Sequence, residues 1–460
     1  MDWPFKPKGS AFARVTEAGR GKGRCCLPSG PQVPYAWLVG RTAAVLTLGC
    51  KLNLADSEEI AHGLRGAGFA VVDRMCEADA YVINTCSVTH VADAKSRKLI
   101  RSVRRLSPGA RVTVTGCFPQ SAGFESVTEL GADLVVGTRD ADKARIVDFL
   151  ANEPGRPSRA ADMHDRPLHT RAFVKAQEGC NDVCAFCIVP RTRGREESRS
   201  IEAVASEVQR AVDAGAREVV ITGTQLGAWG RDLEPALKTH NLIAGILETT
   251  EVLRLRFSSL QPQDISPELL ALWSDPRLMP HFHLALQSGS ENTLAAMRRR
   301  YTAAEFIDAA ARIRAAVPGA AITTDVIAGF PGESEQDFEA TMALCREVGF
   351  ARLHCFPYSQ RSRTAAARMP GQVPPPVKKE RMARLLALAE ELSLAFRRRH
   401  SSECRPVLWE EERNGEWFGH TDNYIAVYTS GTGLLNRVTP AHIGEVYHDG
   451  VWGVVPQEAL

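Results

Sequence analysis

Apolar runs that alternate with helical segments, each run closed by a cysteine or a turn, most constrain residues 41–150. Residues 43–48, 81–84, 111–115 and 133–136 read as buried strands, with helices over 56–65 and 93–105 between them. That alternation predicts a parallel α/β sheet. Cys50 follows Leu48-Gly49, Cys86 follows Asn84-Thr85, and Cys117 follows Thr115-Gly116. All three are therefore expected just past the carboxyl ends of parallel strands, where open α/β sheets build their sites. Gly49 and Gly116 suit a tight backbone turn beside a bulky group. Taken singly these cysteines also fit buried core thiols; their matching strand ends favour a shared metal site.

A second set is compact. Cys180, Cys184 and Cys187 form a C-x3-C-x2-C run. It falls after the first strand of another βα series, with strands expected at 172–176, 218–222, 255–259, 283–287, 321–328 and 353–356. The helix 201–214 puts Ile201, Val204, Val208, Ala211 and Val212 on one face and stops at Gly215. Six βα units predict an open, TIM-like barrel with the cysteine run on its catalytic face. Zinc wants four ligands, and His164 and His169 lie upstream across a linker. Three thiolates per set is one fewer than the four that close a [4Fe–4S] cluster, which leaves one iron open in each. Two open clusters imply two chemical steps.

The expected organisation is a flexible extension over 1–40, an α/β domain over 41–150, and a linker over 151–170 rich in Pro and Gly. A barrel over 171–400 follows, ending in a helix over 378–399, and then a small all-β module over 401–460. With 460 residues, 44% hydrophobic and 24% charged, the chain has the composition of a globular protein. Twelve cysteines are too sparse for a disulfide scaffold at this length. No apolar stretch approaches the roughly 18 residues of a membrane span, and no secretory signal is visible. A cytoplasmic, reducing location is expected. Net charge of +2 decides nothing about nucleic acid, so any RNA-binding surface must be local.

The compact run, with Phe186 before its third cysteine, resembles the signature of the radical S-adenosylmethionine (SAM) superfamily. Thr222-Gly223-Thr224 after the second strand, Gln287-Ser288-Gly289-Ser290 at the fourth and DVIAGFPGE at 325–333 add to it. The resemblance implies that SAM binds the open iron and yields a 5′-deoxyadenosyl radical. It implies SAM contacts at Phe186, Gly223, Thr224, Gln287 and Ser288. From about residue 41 onward, TLGCKLNLADSEE at 47–59, INTCSVT at 83–89 and TGCFPQ at 115–120 resemble the methylthiotransferases of that superfamily. This implies a second [4Fe–4S] cluster on Cys50, Cys86 and Cys117, beside the one on Cys180, Cys184 and Cys187. Two SAM molecules would be consumed, one methylating sulfur and one giving the radical. The C-terminal module resembles a TRAM domain. Cys25, Cys26, Cys76, Cys345, Cys355 and Cys404 match nothing in the pattern and read as packing residues.

Family branches modify threonylcarbamoyladenosine or isopentenyladenosine in tRNA, or an aspartate of a small-subunit ribosomal protein. Leu48-Gly49-Cys50-Lys51, residues 84–89, 92–98 and 298–301, and Gly419–Tyr424 look most like the threonylcarbamoyladenosine (MtaB) branch. The resemblance implies the anticodon stem-loop of tRNA as partner, not DNA or a membrane. It also implies a flavodoxin or ferredoxin reductase and a separate sulfur donor. Lys95, Arg97, Lys98, Arg101, Arg104 and Arg105 on one helix, and Arg191, Arg193, Arg195 and Arg199 after the compact run, suit phosphates. Against this, residues 401–460 carry nine acidic and three basic side chains, which suits a basic protein partner. Trp409, Trp417, Phe418 and Tyr424 are there either to stack on bases or to fill a core.

Overall fold

The computed structural model describes residues 41–152 and 170–459. The expected extension over 1–40 and most of the expected linker lie outside the described residues. Two compact units are present. Arg191–Arg193 belongs with the first, and the second runs from His169 with that segment excepted.

The first unit runs β1 (Arg41–Thr47), α1 (Lys51–Gly66), β2 (Phe69–Val72), β3 (Ala80–Thr85), α2 (His90–Leu106), β4 (Arg111–Gly116), α3 (Cys117–Ala122), α4 (Phe124–Thr128), β5 (Leu134–Val135) and α5 (Asp140–Ala151). Its five strands pair in parallel in the order β2-β1-β3-β4-β5. Alternate residues serve opposite layers, as a pleated strand requires. Ala44, Leu46, Ile83 and Val114 pack with Leu99, Ile100 and Val103 of α2. Ala43, Val45 and Val82 pack with Ile60 and Leu64 of α1 and Ile146 and Leu150 of α5. The edge strand β2 was not expected from sequence: only Phe69 of its four residues is fully buried, so it lacks the apolar run of its neighbours.

The second unit contains β6 (Arg171–Glu178), α6 (Val189–Thr192, whose last two residues belong with the first unit), β7 (Glu197–Ser198), α7 (Ile201–Asp213), β8 (Glu218–Gly223), α8 (Thr239–Thr249), β9 (Leu255–Phe257) and α9 (Pro267–Ala271). It continues with β10 (His281–His283), α10 (Glu291–Ala296), α11 (Ala303–Ala316), β11 (Ala321–Ala328), α12 (Glu335–Val348), β12 (Arg352–Pro357) and α13 (Pro375–Arg399). Six parallel strands form the barrel wall. β6-β8-β9 and β10-β11-β12 are regular ladders, joined by the isolated bridges Leu255↔Leu278 and Leu260↔Leu284. The fourth strand lies earlier than the expected 283–287. Its regular ladder with β11 stops at His283, and Gln287, in a left-handed conformation at φ +66°, touches β11 again through one bridge to Val326. The third strand is likewise cut short before Ser259, at φ +59°.

α13 leads into β13 (Cys404–Arg413), β14 (Glu416–Thr421), β15 (Ala426–Thr429), β16 (Val438–Tyr447) and β17 (Gly450–Val454), which close a five-stranded barrel. An ion cluster seats it on the larger barrel. Glu218, buried on β8, accepts from Arg254 at 2.9 Å and Arg256 at 2.7 Å. The same guanidinium groups donate to the carbonyls of Thr421 and Asp422. Burial alone would raise the Glu218 carboxyl, but Arg256 and Arg254 outweigh it and hold it down to about 2.

Candidate metal centres

In the first unit the register places Thr47 beside Asn84, Asn84 beside Thr115, and Thr85 beside Gly116. Three neighbouring strands therefore deliver Cys50, Cys86 and Cys117 to one end of the sheet. Cys50 caps α1 and is exposed, Cys117 opens α3, and Cys86 and Cys117 are buried. Gly116 is required there: at φ +96°, a Cβ would lie 2.3 Å from the Thr85 carbonyl oxygen. Gly49, at φ +117°, would put a Cβ 3.2 Å from the Cys86 sulfur. Asn53 staples the loops by donating to Leu48 O at 2.7 Å and Thr85 O at 3.0 Å.

Sequence reasoning gave Arg193 to phosphate; the structure spends it here. Its buried guanidinium donates to Asn53 Oδ1 at 2.6 Å and Asp56 Oδ2 at 3.1 Å. Burial pushes the Cys117 thiol up, opposed chiefly by the Arg193 charge. Cys86 is pushed up to about 12 by burial and then by Cys117 and Cys50.

In the second unit the compact run follows β6. Cys180 Sγ donates to Gln225 Oε1 at 3.3 Å, and Arg299 donates to Cys184 Sγ at 3.2 Å. Burial comes first in raising Cys187 to about 12 and Cys180 to about 11, with Cys184 adding to both. In each set, neighbouring thiols repel one another as anions. A cationic core that displaces their protons relieves both that repulsion and the burial cost. Neither set meets the spacing of a single-ion site. Among the described residues one group of His, Cys and acidic side chains does, with ligand atoms all within 4.8 Å, and it is His283, Asp325 and His354. Each thiol set offers three ligands, one short of the four that a structural zinc ion or a closed [4Fe–4S] cluster takes.

The five residues expected at SAM fall into different settings. Thr224 Oγ1 and its neighbour Gln225 Nε2 are buried without a hydrogen bond, next to Cys180, as a polar ligand's seat should be. Sequence reasoning missed Gln225, whose signal is adjacency to Thr224. Gly223 packs its backbone on Gln177, where a Cβ would lie 3.0 Å from Oε1. Phe186 packs beside Met297, Phe330 and Tyr358. Gln287 holds its left-handed backbone between Asp325 and Ile327. Ser288 has its hydroxyl engaged by Thr341 at 3.1 Å and Ser290 at 3.2 Å. Cys345 and Cys355 are buried in the barrel core.

Along α2, Lys95, Arg97, Lys98, Arg101 and Arg105 are exposed and make no ion pair among the described residues, while Arg104 turns to Asp133 and Gly131. Arg199 is spent on Glu207 and the Lys175 carbonyl. Trp409, Trp417, Phe418 and Tyr424 are packing residues. Trp409 donates to Thr439, and Tyr424 lies against His281, His420, Arg171 and Arg256. Four of the nine acidic side chains of residues 401–460 are paired: Glu410 with Arg171 of β6 and His420, Glu403 and Asp422 with Arg405, and Glu411 with Arg413.

Two family models match the chain, one described as uncharacterized protein family UPF0004 over residues 42–137 and one as the radical SAM superfamily over 174–345. The chain is 38% identical over 445 residues to the threonylcarbamoyladenosine tRNA methylthiotransferase MtaB of Bacillus subtilis, covering 91% of this chain and 98% of the relative. It is 34% identical to the MtaB of Thermotoga maritima, covering 87% and 93%. It is 33% identical to the tRNA-2-methylthio-N(6)-dimethylallyladenosine synthase of Aquifex aeolicus, covering 86% and 94%. Among solved structures, the radical SAM methyltransferase TsrM of Kitasatospora setae is similar at a TM-score of 0.49 and 13% identity, over 69% of this chain and 75% of that one.

Proposed function

Because the chain belongs to the radical SAM methylthiotransferase family, we propose that it methylthiolates C2 of N6-threonylcarbamoyladenosine at position 37 of tRNA, using two [4Fe–4S] clusters and two SAM molecules. The observation that carries this reading is the pair of three-thiol sets, each gathered at strand ends and each without a fourth cysteine among the described residues. Cys180, Cys184 and Cys187 would hold the cluster that takes SAM, and Cys50, Cys86 and Cys117 the cluster that takes sulfur. When bound, these groups supply a carbon radical able to remove hydrogen from an unactivated C–H bond and the sulfur that replaces it.

The protein's own contributions follow from the side chains. Thr224 Oγ1 and Gln225 Nε2 offer unspent polar atoms for the amino-acid end of SAM. Arg299 places positive charge on the Cys184 sulfur and Arg193 places it beside Cys117, each balancing a thiolate. The five exposed cations of α2 suit an RNA backbone. Relatives named for both tRNA substrates match over most of the chain, and the threonylcarbamoyladenosine enzyme of Bacillus subtilis matches at the higher identity. Glu410 is held by Arg171, and Glu403, Glu411 and Asp422 by the module's own arginines, so the module keeps its net acidity and a basic ribosomal protein stays the alternative substrate. Electrons are expected from a flavodoxin or ferredoxin, and sulfur from a separate donor.

The test is a split between two steps. Cys50, Cys86 and Cys117 changed together to Ala should leave SAM cleavage to 5′-deoxyadenosine intact and abolish methylthiolation of tRNA. Loss of both activities with the remaining cluster still loaded would show that the steps are not divided between the sets.

A further inference from the structure

The inner face of β10, β11 and β12 carries a polar group that neither thiol set uses. Phe282, Leu284, Ile322, Val326, Leu353 and Cys355 point into the hydrophobic core, so His283, Thr323, Asp325 and His354 take the opposite face. The register sets His283 beside Thr323 and Asp325 beside His354. His283 Nε2 lies 3.4 Å from Asp325 Oδ2, its Nδ1 lies 3.1 Å from Thr323 Oγ1, and its ring is 5.7 Å from that of His354. Asp325 keeps 31% of its side chain accessible and His283 14%, so the group opens onto a space a ligand can enter. Tyr301 donates to the Leu286 carbonyl, three residues beyond His283, at 2.7 Å and accepts from Arg299, which donates to Cys184 at 3.2 Å. The patch is therefore close to the compact thiol set.

We propose that His283, Asp325 and His354 form the subsite for a polar substituent on the target adenine, its hydroxyl, ureido and carboxylate groups, and that they reject an apolar one. The inference rests on the threonylcarbamoyladenosine reading. Asp325, held by His283, accepts from hydroxyl or ureido N–H, and the His354 imidazole donates to carboxylate. An isopentenyl chain on the same patch strips water from Asp325 and His283 and returns no hydrogen bond, the arrangement by which sites discriminate most strongly.

The test uses reconstituted holoenzyme, an electron donor, and anticodon stem-loops bearing either threonylcarbamoyladenosine or isopentenyladenosine. His354→Leu and Asp325→Asn should each lower kcat/KM for the first substrate on the order of 10–100-fold. The ratio between the two substrates should fall with it, while substrate-free SAM cleavage and iron content stay unchanged. An unchanged ratio overturns the subsite, as does loss of SAM cleavage, which would assign the patch to SAM. One zinc per chain that disappears in His354→Leu would make it an ion site and overturn it too. The wild-type enzyme reports separately on the parent reading: activity on isopentenyladenosine alone sinks that reading whatever the variants do.

Discussion

Single residues decide whether the strand-end thiols of the first unit make a site. Gly116 has no substitute, because its φ of +96° and the Thr85 carbonyl 2.3 Å from a would-be Cβ exclude a side chain. Gly116→Ala should cost about 1–3 kcal/mol of stability in strain alone and remove roughly half of the bound iron, read by iron analysis and denaturant unfolding. Full iron retention would show that Cys117 does not depend on this turn. Arg193 is the residue sequence reasoning misplaced, since one arginine among several in a loop carries no mark of burial. Arg193→Met removes a buried partner from Asp56, for which about 3 kcal/mol is expected because Lys143 remains on that carboxylate. In a chain lacking Cys180, Cys184 and Cys187, the same change should lower the reduction potential of the remaining cluster, with Arg193→Lys in between. A potential that does not move would leave Arg193 a purely structural residue.

At the scale of elements, two assemblies have separable consequences. The cation face of α2 is the RNA-binding element of this account. Lys98→Glu with Arg101→Glu should weaken tRNA binding and reduce the salt slope by about 0.7–0.9 for each phosphate no longer neutralised, leaving SAM cleavage untouched. Equal affinity at all salt concentrations would move RNA binding elsewhere. Glu218 seats the C-terminal barrel, and Glu218→Gln should cost about 3–5 kcal/mol, since two buried guanidinium groups lose their anion. The pH dependence follows from a carboxyl held below its unfolded value. Its stabilisation is complete above the unfolded pKa, about 4.3, and is lost as pH falls toward about 2. Denaturant unfolding across that range should therefore show the stability gap between wild type and Glu218→Gln narrowing as the solution is acidified. A gap of constant size would mean that the carboxylate charge is not what holds the cluster. The Glu218 cluster was not legible beforehand. Arg254, just before β9, and Arg256 on it alternate as any exposed pair would, and only the tertiary partner reveals them.

For the molecule as a whole, most of the architecture could be read from periodicity. Strands β1, β3 and β4 are largely apolar or β-branched runs whose ends the cysteines mark, and β11 is such a run apart from Asp325. Six parallel barrel strands and a closing β module follow from the same alternation. What escaped was set by the pairing of distant segments. β2 is half-exposed, β9 stops just before left-handed Ser259 and β10 stops at His283, and four of the nine acidic side chains of residues 401–460 are held by arginines on β6 and within the module. The His283–Asp325–His354 patch escaped because its members lie 29 to 71 positions apart on three strands and converge only through strand register. The measurement that bears most directly on the central claim is mass spectrometry of nucleosides from total tRNA of a strain lacking this gene. The expected result is loss of 2-methylthio-N6-threonylcarbamoyladenosine, restored by the intact gene and not by Cys184→Ala. An unchanged level of that nucleoside, with loss of methylthio-isopentenyladenosine or of a methylthiolated ribosomal aspartate instead, would contradict it.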